Sequence, residues 1–256
     1  MICAARSPIT RGAKLATDSI AIAQPNLPAP KSTVAGASHT IFLLAVIAAW
    51  STWGYFGASR MRTVQNPHRA GMYVLTVLWE WSVVAYIAWG AKRHGSSLRE
   101  IIGGRWNNLK DFLKDVAIAA GFWLIALVVL LCTALALHAT KGGQNIRFLL
   151  PQDRLEIFLW ILTSITAGIC EEIIFRGYFQ RQFSAWTGNV SAGVLLSAAA
   201  FGAGHIYQGW RSAVIILVYG LLFGILAEFR KSLRPGMMTH AWHDGFAGLA
   251  ARLIAK

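Results

Sequence analysis

Apolar residues fall into long blocks along this chain, separated by short polar connections. The blocks run over residues 40–58, 72–90, 116–139, 157–183, 190–205, 213–228 and 237–254. Charges respect the same boundaries, with no Asp, Glu, Lys or Arg over residues 32–59, 116–140 or 182–210. Gaps of this length cross a bilayer, which takes about 20 apolar residues. Each block is predicted to be a helix, because a segment in lipid must satisfy its own backbone hydrogen bonds. The pattern gives an all-α, polytopic membrane protein with about seven to eight transmembrane helices. Trp89, Trp186 and Trp210 near block ends suit the membrane–water interface. The stretch 107–114 reads as an amphipathic helix lying on the surface, and no internal repeat is visible.

Residues 1–39 read differently: Pro8, Pro25, Pro28 and Pro30 stand among Ala, Ser and Thr, with Asp18 as the one acid. A disordered N-terminal tail over 1–39 is expected, followed by a helical membrane domain over 40–256. No short apolar core precedes Thr40, so a cleaved signal peptide is not expected.

Composition supports the membrane reading, with 55% of the 256 residues hydrophobic and 14% charged. Soluble domains carry about 25% charged residues. The net charge of +13 would suggest nucleic acid in a soluble protein, but here the basic residues sit between the apolar blocks. Lys92, Arg93, Arg99, Arg105, Lys110 and Lys114 fill one connection, and Arg230, Lys231 and Arg234 another. Such charges anchor loops at anionic leaflets, so the expected partner is the lipid bilayer and not nucleic acid. The basic excess lies on the side of the tail, which predicts a cytoplasmic N-terminus in the cell (plasma) membrane. Cys3, Cys132 and Cys170 are odd in number, and two lie within apolar blocks, so no disulfide framework is expected.

Candidate chemistry begins in the fourth block, where Glu171, Glu172 and Arg176 interrupt an otherwise lipid-compatible run. Each charge at such depth costs at least about 2.5–3.5 kcal/mol. Glu172 and Arg176 are four apart with the acid first, the favourable order for a helical ion pair, and Glu171 is rotated about 100° away. Glu172 and Arg176 therefore read as structural. Glu171 lacks a local counter-charge, and a second acid beside a satisfied pair points to a general base for water.

His205 is the next isolated ionisable residue, and Trp186-Thr-Gly-Asn189 between them is a turn signal. Glu171 and His205 are equidistant from residue 188, so an antiparallel hairpin would bring them to one depth. The last block carries His240, His243 and Asp244, with His240 and Asp244 sharing a face. Taken alone, these three read as solvated groups at a helix start. Glu80 is another intramembrane acid and reads as a partner for a buried base or as a cavity wall. Phe201 and Cys170 read as packing residues.

Together the residues form Glu-Glu-x-x-x-Arg at 171–176, Phe-x-x-x-His at 201–205 and His-x-x-x-Asp at 240–244. In order and spacing this resembles the CPBP family of intramembrane endopeptidases, which includes the type II CAAX prenyl endopeptidases and bacteriocin-processing and immunity relatives. The likeness covers residues 157–249. It implies a helical fold around a polar cavity, with Glu171 and His205 activating water, His240 and Asp244 stabilising the oxyanion, and Glu172 and Arg176 bracing the helix. It also implies a membrane-anchored, prenylated peptide or protein as substrate.

Many members end the last motif in Asn where this chain has Asp244, and an ionised Asp cannot donate a hydrogen bond to an oxyanion. Either Asp244 is protonated, or it orients His240, or Glu171, His205, His240 and Asp244 hold a divalent metal such as zinc. The family resemblance favours a metal-free site. Two other classes compete: a proton-coupled transporter using the same groups as a relay, and a non-catalytic scaffold or immunity protein. One conflict stands in the pattern. His205 ends its block and His240 nearly begins its own, which regular up-and-down helices would send to opposite leaflets.

Overall fold

The structure, a computed structural model, describes residues 33–64, 67–139 and 148–254. All its regular elements are helical. The first blocks form α1 (Ala37–Met61) and α2 (Arg69–Arg93), followed by a short α3 (Leu98–Ile102). Next come α4 (Leu109–Ala136) and α5 (Arg154–Glu171), and α5 runs unbroken through a π-helical stretch, Glu172–Phe179, into α6 (Gln180–Thr187). The chain closes with α7 (Val190–Gly204), a 3₁₀ turn (Ile206–Gln208), α8 (Trp210–Arg230) and α9 (Arg234–Ile254).

Local chemistry sets the starts of these helices. Asn108, Asp153 and Asn189 accept hydrogen bonds from the backbone N–H groups of Asp111, Glu156 and Ala192, and Ser97 with Glu100 forms a reciprocal cap on α3. At the expected hairpin turn, Gly188 takes φ +64°, the left-handed conformation that ends α6.

Five helical runs are long and apolar enough to cross a membrane: α1, α2, α4, the continuous stretch Arg154–Thr187, and α8. All seven expected blocks are helices, but two fall short of that criterion. α7 has 15 residues, about 22 Å of rise against a hydrocarbon core of about 30 Å. α9 is interrupted by Arg234, His240, His243, Asp244 and Arg252. The protein is a multi-pass helical membrane protein whose centre contains short and polar helices.

Two sequence expectations change. The stretch 107–114 is not a separate surface helix, because from Leu109 it forms the first turns of α4. The next residue, Asp115, is buried, and it accepts from Trp106 Nε1 at 2.9 Å and pairs with Arg230 at 3.3 Å and Arg234 at 3.1 Å. It thereby ties α4 to the connection from which α9 starts. Of the tail expected over 1–39, residues 1–32 and Cys3 lie outside the described residues. Val34 and Ala35 are buried, and their N–H groups donate to Gln182 Oε1 at 2.9 and 3.2 Å. α1 begins at Ala37 because this clamp, with the 2.7 Å Thr40–Tyr178 hydroxyl contact, pins its start against the π stretch and α6.

Glycines let the central helices approach closely, as is common where lipid supplies no hydrophobic drive between helices. A Cβ at Gly168 would lie 2.6 Å from the Ala241 nitrogen, and one at Gly193 would lie 2.5 Å from the Gln180 carbonyl oxygen. These contacts bring α5 against α9 and α6 against α7.

Candidate active site

The Glu-Glu-x-x-x-Arg motif starts at the last residue of α5 and continues into the π-helical stretch, which holds Glu172 and Arg176. Such stretches are rare and often mark functional sites. The expected ion pair is present, with Arg176 Nη1 3.0 Å from Glu172 Oε1 and both side chains at most 2% exposed. The guanidinium carbon also lies 4.4 Å over the Phe201 ring and 5.2 Å over that of Phe223. Those ring faces attract the cation while excluding water.

Glu172 does more than pair with Arg176. The same oxygen, Oε1, accepts a hydrogen bond from His240 Nδ1 at 3.1 Å. The other ring nitrogen, Nε2, stands 3.5 Å from Glu171 Oε2 and 3.6 Å from Asp244 Oδ2. His240 is thus the hub, joining α5, the π stretch and one further turn of α9. The close backbones at Gly168, with Trp160 Nε1 donating to the Asp244 carbonyl at 3.2 Å, set the height of α9 on α5.

His205 caps α7 and places Nδ1 2.9 Å from the Phe201 carbonyl oxygen. A carbonyl can only accept, so Nδ1 carries the proton in this bond and the neutral ring keeps Nε2 as an acceptor. Among the described residues, Glu171 makes no hydrogen bond or ion pair to His205. Phe201 lies between the two histidines, its ring meeting His205 edge-on at 4.9 Å and His240 at 6.0 Å. The leaflet conflict is resolved by the short α7 and by α9, which carries His240 about 9 Å in from Arg234. The 206–209 connection lies beside the site, with Tyr207 within electrostatic reach of Glu171, Asp244 and Glu80.

Glu80 on α2 is 6% exposed and within electrostatic reach of Glu171 and Asp244, and its Oε2 has no hydrogen-bond partner. Cys170 is fully buried, as a packing residue would be. His243 has its ring 4.9 Å from that of Tyr219 and lies within electrostatic reach of Asp244, and its Nδ1 has no partner. Sequence reasoning missed Tyr219 and the bond from Glu172 to His240. The only signal for Tyr219 was a hydroxyl within an apolar helix, one turn before Phe223.

The residues do not fit a metal as placed. Among the described residues, no group of three or more His, Cys, Asp or Glu side chains has the arrangement to hold an ion. Both nitrogens of His240 already face carboxylates, so no chemistry is routed here through a metal.

The arrangement offers a carboxylate free of a guanidinium, an imidazole with an open acceptor nitrogen, and a second imidazole held by acids. These are the parts needed to activate water and to stabilise a developing oxyanion. No curated protein and no solved structure shows significant similarity to the chain. A family model described as Rce1-like, type II CAAX prenyl endopeptidase Rce1-like, matches residues 153–246. That interval holds every motif residue of the site, and over it the chain is similar to the type II CAAX prenyl endopeptidases of that family.

Proposed function

We propose that this protein is an endopeptidase that hydrolyses a membrane-anchored peptide, prenylated in the simplest case, within the cell membrane. The observation that carries the reading is the placement of Glu171. It is an intramembrane acid with no guanidinium partner, 17% exposed in its side chain and 3.5 Å from His240 Nε2. A structural carboxylate would be paired with a guanidinium, as Glu172 is with Arg176.

In the proposed reaction, water sits between Glu171 and His205 Nε2. Glu171 takes a proton as the water oxygen bonds to the scissile carbonyl carbon. The oxyanion that forms is met by the Nε2–H of His240, whose ring is held by Glu172 through Nδ1. The tetrahedral intermediate then collapses, the C–N bond breaks, and Glu171 returns its proton to the leaving amine. Asp244 orients His240 in this scheme, a role that an ionised Asp can fill. No metal takes part.

Purified protein in lipid vesicles, a lipid-anchored reporter peptide and mass spectrometry of the products test the reading. Glu171→Gln keeps the shape but cannot accept the proton, so cleavage should fall by at least about 10²–10⁴-fold with the fold intact. Cleavage that survives this change overturns the mechanism. A proton flux altered by Glu171→Gln, with no peptide product from either protein, would favour a transporter.

A further inference from the structure

Tyr219 lies on α8 beside the proposed site and has no part in the chemistry so far. It is 5% exposed, with its ring centroid 4.4 Å from that of Phe223, 4.9 Å from that of His243 and 5.7 Å from that of His240. Its hydroxyl is buried and makes no hydrogen bond, although Asp244, Glu172, Arg176 and Glu171 all lie within electrostatic reach. Buried hydroxyls are nearly always bonded, so an orphan at a candidate active site calls for an explanation.

The donors available to an oxyanion supply that explanation. Ionised carboxylates only accept hydrogen bonds, and Glu171, Glu172 and Asp244 surround the site. Arg176 stands 3.0 Å from Glu172 Oε1 with its guanidinium over the rings of Phe201 and Phe223, and its Nη1 and Nη2 make no hydrogen bond. His240 Nε2 offers one donor, whereas oxyanion sites generally converge two or more. Asp244 cannot supply the second while ionised. Tyr219 is a neutral donor in ring contact with His240 and has no acceptor to serve at rest.

We propose that the Tyr219 hydroxyl is a catalytic group that donates a hydrogen bond to the oxyanion of the tetrahedral intermediate, alongside His240. The hydroxyl keeps its proton throughout, so the balance of the hydrolysis is unchanged. The proposal rests on the endopeptidase reading.

Tyr219→Phe tests it, because the ring packing stays and the lost hydroxyl has no bond to break. With the same vesicles and reporter peptide, and rates normalised to folded protein, kcat should fall by about 10²–10³-fold. KM should stay within about threefold of the unaltered protein, and the melting temperature should not fall. Asp244→Asn in the Tyr219→Phe background restores a donor near His240, and should recover at least about tenfold of the lost rate, a part of one donor's contribution. Cleavage by the unaltered protein that Tyr219→Phe leaves within threefold overturns this inference alone. A loss that Asp244→Asn does not relieve overturns donation. No cleavage by the unaltered protein overturns the endopeptidase reading, and the inference falls with it.

Discussion

Glu172 Oε1 accepts the His240 Nδ1–H at 3.1 Å and pairs with Arg176 at 3.0 Å, so one buried oxygen couples the brace of the π stretch to the imidazole of α9. The orientation of His240 therefore depends on a charge pair that makes no direct contact with substrate in the proposed reaction.

Glu172→Gln should cost stability as well as rate. It leaves Arg176 buried at 2% exposure without its counter-charge, and breaking a buried pair costs about 3–5 kcal/mol. Detergent-extracted yield and melting temperature are the measurements. A variant that melts like the unaltered protein would show that the cation–π contacts alone hold Arg176.

Gly168→Val should lower melting temperature and activity together. Its Cβ would lie 2.6 Å from the Ala241 nitrogen and 2.8 Å from the Met237 carbonyl oxygen, so backbone must yield. Overpacking of this kind costs about 1–3 kcal/mol. Parting α5 from α9 also moves His240 off Glu171, so the rate per folded molecule should drop. Gly245, where an added Cβ would meet nothing within 4 Å, is the control: Gly245→Ala should be close to silent.

Exhaustive chelation should leave cleavage unchanged, and elemental analysis should find no stoichiometric ion in active protein. The physical ground is that His240 presents both nitrogens to carboxylates, at 3.1, 3.5 and 3.6 Å, and not to a shared ligand position. Activity lost on chelation and restored by zinc would overturn the metal-free mechanism.

Spacing alone placed several features correctly. The i, i+4 relation of Glu172 and Arg176, the turn at Gly188 and the helical character of every apolar block follow from the helix repeat and from local turn chemistry, which nearest neighbours along the chain decide. The motif residues themselves were legible because charged groups are conspicuous in a lipid-compatible sequence.

What the sequence could not reach depends on how helices approach and rotate against one another. With α7 short and α9 polar, five helical runs meet the length and composition of a span where about seven to eight were expected. Asp115 reads as one more charge near a helix start, yet it is buried between two arginines of another connection. Glu80 and Glu171 are far apart in the chain and close in space because α2 packs on α5. The bond from Glu172 to His240 exists because glycines at 168 and 236 let α9 settle against α5 and the π stretch, with a Cβ at Gly236 falling 3.2 Å from Glu172 Oε2. Patterning along the chain determined which residues lie in the bilayer and on which helix. Only the tertiary structure decided which acid His240 holds, because that depends on the distance and rotation between helices, and small residues set the distance without marking the face.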